Sequence, residues 1–201
     1  MSEIIIESAT RFPSIGLKKN KIFKIYHSGK EGNHSTFFFD VIKEFNLVEV
    51  KRILITIGPG RFTSLRVGLS FALGLAIPRK IKIIPLNTFD IVENKLSKKF
   101  SDFGIFLKKG GEGFLYRKKG DDKIYVVKEI KDNLPIFTFE PAKIDFEYNI
   151  IIIDPLMMYE YYIEKKGELE ETDDYEKIKL LYSFLPYEKS LIEKGKIKGY
   201  S

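Results

Sequence analysis

Glu7 is the first residue whose type and place could do chemistry. It ends an apolar run, Ile4-Ile5-Ile6, and heads Glu7-Ser8-Ala9-Thr10-Arg11. ATP hydrolysis or phosphoryl transfer at such a place wants an Asp and a glycine-containing turn, because backbone N–H groups must come close to the phosphates. This turn has no glycine, and its acid is Glu. A two-metal nuclease would need further carboxylates at neighbouring strand ends, and Ile53 to Ile57 offers none. The second place is Gly58-Pro59-Gly60, which lacks the Lys of G-x-x-x-x-G-K-[ST] and loses one N–H donor to Pro59, so nucleotide binding there is not expected. The third is the pair His27 and His34, which lie in different elements with no Asp or Glu at metal-ligand spacing. His34 reads as a capping or surface residue. There is no Ser/His/Asp set, and the absence of cysteine removes disulfides, thiolate metal sites and a Cys nucleophile. No catalytic residue, metal or cofactor is expected.

The elements that would position these residues centre on Arg52 to Pro78. Ile53-Leu54-Ile55-Thr56-Ile57 is apolar and β-branched without alternation, as in a parallel strand buried on both faces. Gly58-Pro59-Gly60 turns the chain into a helix from about Thr63, capped by Thr63 or Ser64 and stopped by Pro78. On that helix Ser64, Gly68, Ala72 and Ala76 recur every fourth residue as a stripe without bulk, so a neighbour can approach closely. Glycine costs about 1 kcal/mol against alanine inside a helix, and packing must offset that. The stripe has two readings, an intramolecular neighbour or a partner protein.

Before this unit come strands at Ile4–Ile6, Ile15–Lys18 and Ile22–Tyr26. An amphipathic helix follows, opened by Asn33-His34-Ser35, with Phe38, Val41, Ile42 and Phe45 at i, i+3, i+4, i+7. After it come a strand at Ile81–Ile84 and a helix from Asn87-Thr88 to about Leu96. The order βββαβαβα is that of the α/β lobe of the actin-like ATPase (ribonuclease H-like) fold, a fold-level analogy. The second half reads as a reduced repeat, with strands at Gly104–Leu107, Phe114–Lys118, Lys123–Val127 and Ile150–Ile153. Helices are expected at Leu156–Lys165 and Tyr175–Leu185, with a solvated acidic loop from Glu168 to Glu176 between them. Two lobes are therefore expected, 1–100 and a smaller 101–201.

The 201 residues suffice for a real core, and 44% apolar with 31% charged residues is a soluble composition. A start of Met-Ser-Glu-Ile lacks a basic n-region, and Val67 to Pro78 is too short to span a membrane, so a cytoplasmic protein with no membrane segment is expected. The net charge of +6 permits an acidic partner such as RNA without requiring one.

Gly58-Pro59-Gly60-Arg61-Phe62-Thr63-Ser64-Leu65-Arg66-Val67-Gly68 resembles the G-P-G-S-F-T-G-L-R-I-G signature of the TsaB (YeaZ) family, agreeing at eight of eleven positions. His34-Ser35 is similar to the family's H-S, Pro85-Leu86-Asn87-Thr88-Phe89 to its strand-to-helix step, Gly111-Glu112 to its G-E, and Leu185-Pro186-Tyr187 to its closing P-x-Y-L. Glu7 departs from the family's first-strand Asp, as do Arg61 and Ser64 from its signature and Leu107-Lys108-Lys109 from its D-A-R.

The resemblance implies a non-catalytic actin-like subunit. It would pair with the threonylcarbamoyl transferase TsaD in forming N6-threonylcarbamoyladenosine on tRNA, with the ATPase TsaE joining and tRNA reached through the complex. Pairing would use the first two helices, with Ser64 and Leu65 at the interface, Gly68, Ala72 and Ala76 allowing close approach and Phe38, Val41, Ile42 and Phe45 supplying apolar area. Without TsaD the same face could close on a second copy. A small actin-like kinase or ATPase acting alone, and a homodimeric RNA-binding protein, are the alternatives.

Overall fold

The computed structural model describes residues 2–109 and 113–181. The apolar run from Ile4 to Ile6 belongs to β1 (Ser2–Glu7), which pairs antiparallel with β2 (Ser14–Lys19). β2 in turn pairs antiparallel with β3 (Ile22–His27). On its other side β1 pairs parallel with β4 (Val50–Gly58), and β4 with β5 (Lys82–Asn87), giving the order β3-β2-β1-β4-β5. Successive side chains of a strand point to opposite faces. Ile4, Ile6, Ile53, Ile55 and Ile83 therefore enter the core beneath α1 (His34–Ile42) and α2 (Phe62–Ala76), while Ile5, Leu54 and Ile84 enter a second core on the other side. Both faces are covered, which explains the absence of alternation.

The second core lies between two sheets. It holds Phe89, Val92 and Leu96 of α3 (Thr88–Ser97), and Met157, Met158, Tyr161 and Tyr162 of α4 (Pro155–Lys165). Beyond these helices lie β6 (Gly104–Lys108), β7 (Phe114–Lys118), β8 (Tyr125–Val127), β9 (Ile136–Thr138) and β10 (Asn149–Ile150), in the order β10-β9-β6-β7-β8. Counted from its own first strand, this is the order of the first sheet again, with antiparallel and parallel pairs in the same places. Where the first sheet has α1 and α2 between its strands, the second has segments 128–135 and 139–148, which form no helix.

Three expectations change. The strand read at Ile150–Ile153 is only the two-residue β10, and Ile152 is exposed. The Asp154 carboxylate accepts from the Met157 N–H at 2.8 Å and Pro155 sits in the first turn of α4, so the chain must leave the sheet there. β9 was not expected. The helix read at Tyr175–Leu185 is a single 3-10 turn at Tyr175–Lys177 with no helix through 181, and its last residues, 182–185, lie outside the described ones. The acidic segment is pinned at one point, because Thr172 exchanges both backbone hydrogen bonds with Ile83 at 2.9 Å and so covers the outer edge of β5.

Candidate functional site

At the C-terminal end of β1 the Glu7 carboxyl, fully buried, folds back on its own turn. Its Oε1 accepts from the N–H groups of Ala9 at 2.7 Å and Thr10 at 3.1 Å. The neighbouring amides are also engaged: Ser8 N–H donates to Thr56 Oγ1 at 3.0 Å, and Arg11 N–H to Glu140 Oε1. All four donors that a phosphate would need at this turn are therefore used internally.

Burial pushes the Glu7 carboxyl up to about 8, against its three hydrogen bonds, which favour the charged form; the Glu140 charge adds slightly to the rise. The neutral form suits the geometry. Thr10 Oγ1 lies 2.9 Å from Glu7 Oε2 and 3.1 Å from the Phe12 carbonyl but has one hydrogen. A protonated Oε2 donates to that hydroxyl, which donates onward to Phe12.

The glycine turn packs on this one. Gly58 has φ +103°, open to glycine at little cost, and a Cβ there would lie 2.0 Å from the Leu181 carbonyl oxygen. The Gly58–Pro59 peptide is cis. A Cβ at Gly60 would meet Ala9 O at 2.7 Å and Ala9 Cα at 2.8 Å, and the Arg61 N–H donates to Ala9 O at 2.8 Å. Neither Thr63 nor Ser64 caps α2: its cap is Arg61, without a side-chain bond. The first helix is likewise opened by Asn33 without a side-chain bond. His34 is not at the surface but buried, its Nε2–H donating to the Thr10 carbonyl at 3.0 Å, and burial holds its pKa below the usual value.

Both turns are further tied by Arg11, whose Nε donates to Glu140 Oε2 at 3.1 Å and whose guanidinium lies 3.7 Å from Glu31. Arg61 reaches Glu31 at 2.8 Å, and this contact lowers the Glu31 pKa. Sequence reading missed Glu31 and Glu140. Glu140 stands 129 residues from Arg11, and no local pattern announces such a pairing. Among the described residues no group of three His, Cys, Asp or Glu side chains is placed to hold a metal ion.

The residues expected at a partner face divide by depth. Phe38, Val41, Phe45, Ser64, Leu65, Gly68, Ala72 and Ala76 are buried inside the chain, and Ile42 is half-buried. The small stripe faces inward at Gly68, where a Cβ would meet Ser8 Oγ at 2.2 Å and Ser8 Cβ at 2.4 Å. The intramolecular reading of the stripe is therefore the correct one, because the close neighbour is the β1 turn. Phe38 stacks on Phe71 at 5.2 Å beneath the two helices.

What α1 and α2 present outward is a groove of about 420 Å³ lined by Ser35, Phe39, Phe62, Thr63, Arg66 and Val67 among others. It adjoins a second hollow that shares Ser35, Phe62, Thr63 and Val67. Phe39 is 60% exposed, and the Arg66 guanidinium sits over the Phe62 ring at 5.2 Å. Of the signature residues, Gly58, Pro59 and Gly60 thus serve the turn, and Phe62, Thr63 and Arg66 line the groove.

Residues 37–134 match the family model described as TsaD: tRNA N6-adenosine threonylcarbamoyltransferase. Over its whole length the chain is 28% identical to the tRNA threonylcarbamoyladenosine biosynthesis protein TsaB of Buchnera aphidicola subsp. Acyrthosiphon pisum (strain APS), covering 95% of that protein. The chain is similar to TsaB. Two solved structures carry the same fold as this chain. One is YeaZ from Pseudomonas aeruginosa (TM-score 0.63, 14% identity, 90% of this chain and 99% of that one). The other is an uncharacterized protein with similarity to peptidase YEAZ from the same organism (TM-score 0.66, 12% identity, 91% and 99%). The fold is the actin-like, ribonuclease H-like one. No described helix is long and apolar enough to cross a membrane.

Proposed function

We propose that this TsaB-like chain is a non-catalytic subunit in the biosynthesis of tRNA N6-threonylcarbamoyladenosine, pairing with a TsaD-type threonylcarbamoyltransferase through the outer face of α1 and α2. The observation that carries the non-catalytic reading is the filled turn after β1. Its amides are spent on Glu7, Thr56 and Glu140, so a nucleotide phosphate would have to displace a buried carboxyl to bind there. The match of residues 37–134 to a TsaD model supports a shared architecture with the transferase, and a pairing of like with like. The outward groove supports the choice of face, since Phe39 is a large exposed ring rimmed by polar residues.

The buried residues Phe38, Val41, Phe45, Leu65, Gly68, Ala72 and Ala76 hold the two helices at fixed spacing behind that face. A second copy would take the face when the transferase is absent. A TsaE-type ATPase and a cytoplasmic setting rest on the family resemblance. We also read two lobes meeting near residue 100, with α4 returning to pack on β1 and β2.

The test is co-purification with the TsaD of the same source, sized by light scattering. A one-to-one complex is expected, and Phe39→Glu should weaken it at least about thirtyfold, the equivalent of a hot spot of about 2 kcal/mol, while the melting temperature of the isolated chain is retained. ATP turnover by the isolated chain, lost in Glu7→Gln, would overturn the non-catalytic reading.

A further inference from the structure

We propose that a lysine-rimmed basin on the outer face of the second sheet binds an unpaired stretch of RNA, phosphates on the lysines and a base against the rings of Phe114 and Phe146. The choice of RNA rests on the proposed role in tRNA modification; the basin itself does not.

On this face point Phe106 of β6, Phe114 and Tyr116 of β7 and Ile136 of β9, and no helix covers them. Segments 128–135 and 139–148 close over part of the face, bringing Phe146 to 5.7 Å from Phe114 and 5.4 Å from Phe106, edge to face. Between the two segments a basin of about 640 Å³ remains open. That volume falls within the range of about 300–1,000 Å³ usual for sites holding a small ligand or a single nucleotide. Phe114 and Phe146 are both half-buried, so ring surface is available at its floor.

The rim is positive. Lys108, Lys128, Lys131 and Lys143 line it against Glu129 and Asp145. Glu129 is held by Lys131 at 2.8 Å, and the Lys108 ammonium donates to the Lys143 carbonyl at 2.8 Å, which ties one segment to the sheet. Lys128 and Lys143 form no ion pair among the described residues. The clustering runs against the local trend, because residues 101–201 carry 17 Lys and Arg against 20 Asp and Glu. Ammonium groups beside exposed ring faces are the recurring composition of sites for single-stranded nucleic acid, where lysines take the backbone and aromatics the bases. A paired helix presents no free base to the rings, so an unpaired loop is the better fit.

The experiment measures anisotropy of a fluorescein-labelled anticodon stem-loop RNA on the full-length chain, and on its complex with TsaD where that forms. Lys128→Glu with Lys143→Glu should weaken binding at least tenfold and flatten the slope of log K against log[salt] by about 1.4, the share of two phosphate contacts to a single strand. Lys21→Glu with Lys24→Glu, an equal charge change on the β2–β3 hairpin, should leave binding unchanged. Four results would overturn the proposal: no binding by the unaltered chain, equal weakening by both double variants, equal affinity for the fully paired stem, or equal affinity for adenosine monophosphate. The reading of the chain as a TsaD partner is tested separately by light scattering. Failure there with a selective loss of RNA binding in the basin variant would leave this site standing, and the reverse would remove the site alone.

Discussion

The first and second sheets have the same strand order and the same pattern of parallel and antiparallel pairs, yet they are covered by different things. Over the outer face of the first lie α1 and α2, whose side chains Phe38, Val41, Phe71, Ala72 and Leu75, with Phe45 just beyond α1, make a continuous core with Ile4, Ile53 and Ile83. Over the matching face of the second lie two irregular segments and a small aromatic cluster around Phe106. Helices satisfy their own backbone hydrogen bonds and can seal a sheet from water along their length. Segments without regular structure must keep backbone groups near water, so they seal it in patches. The first face is thus a firm platform fit to carry a partner, and the second keeps a basin.

The largest difference should appear on cutting one ring from each face. Phe38→Ala should cost about 3–5 kcal/mol in chemical denaturation, the usual loss for a buried Phe. Phe146→Ala, starting half-buried, should cost clearly less and show its effect as faster amide exchange confined to the second sheet. Equal costs would break the comparison.

Gly68→Leu tests how tightly α2 sits on the β1 turn. The Cβ alone would come within 2.4 Å of Ser8, so overpacking should destabilise the isolated chain by about 1–3 kcal/mol or more, with no partner present. A stability equal to that of the unaltered chain would return the small stripe to the surface.

Glu7 gives a pH signature belonging to the first sheet. Its folded pKa of about 8 stands above the ordinary 4.5, so between those values the folded chain holds a proton that the unfolded chain releases. Stability should therefore fall as pH rises from about 4.5 to 8, by of order 1 kcal/mol per pH unit at most, and level off above. Glu7→Gln keeps an oxygen for the Ala9 and Thr10 amides and an N–H for Thr10 Oγ1. It should remove that fall, seen as a melting temperature flat across the window.

The smallest effect is expected at Gly74, exposed on α2 with no atom within 4 Å of an added Cβ. Gly74→Ala should stabilise the chain by about 1 kcal/mol through helix propensity. A loss in place of a gain would mean that α2 has a close neighbour there too, as it has at Gly68.

Much of the first sheet was legible because its strands and helices announce themselves locally. The unbroken Ile53–Ile57 run, the glycine turn and the Asn87 cap, whose Oδ1 accepts from Phe89 N–H at 2.8 Å, all act within a few residues. The second sheet was less so. β9 is three residues long and β10 two, lengths at which periodicity carries no signal; β9 is placed by β6 beside it and β10 by β9. Ile150 to Ile153 reads as a strand by composition, but the Asp154 cap ends it.

By itself the sequence determined the element order of the first half, the actin-like class, the signature turn and the lack of a glycine at the first phosphate position, since each depends on residue type and near neighbours. Only the tertiary structure decided which way α1 and α2 face. Periodicity shows that Phe38, Val41 and Phe45 share a side, and that Gly68 and Ala72 do, but a helix with apolar residues on several sides does not say which side meets its own sheet. Burial places that side inward, leaves Phe39 and Phe62 to line the outward groove, and sets Glu7 against a turn whose Arg11 amide donates to Glu140, a partner too far along the chain for any local pattern to show.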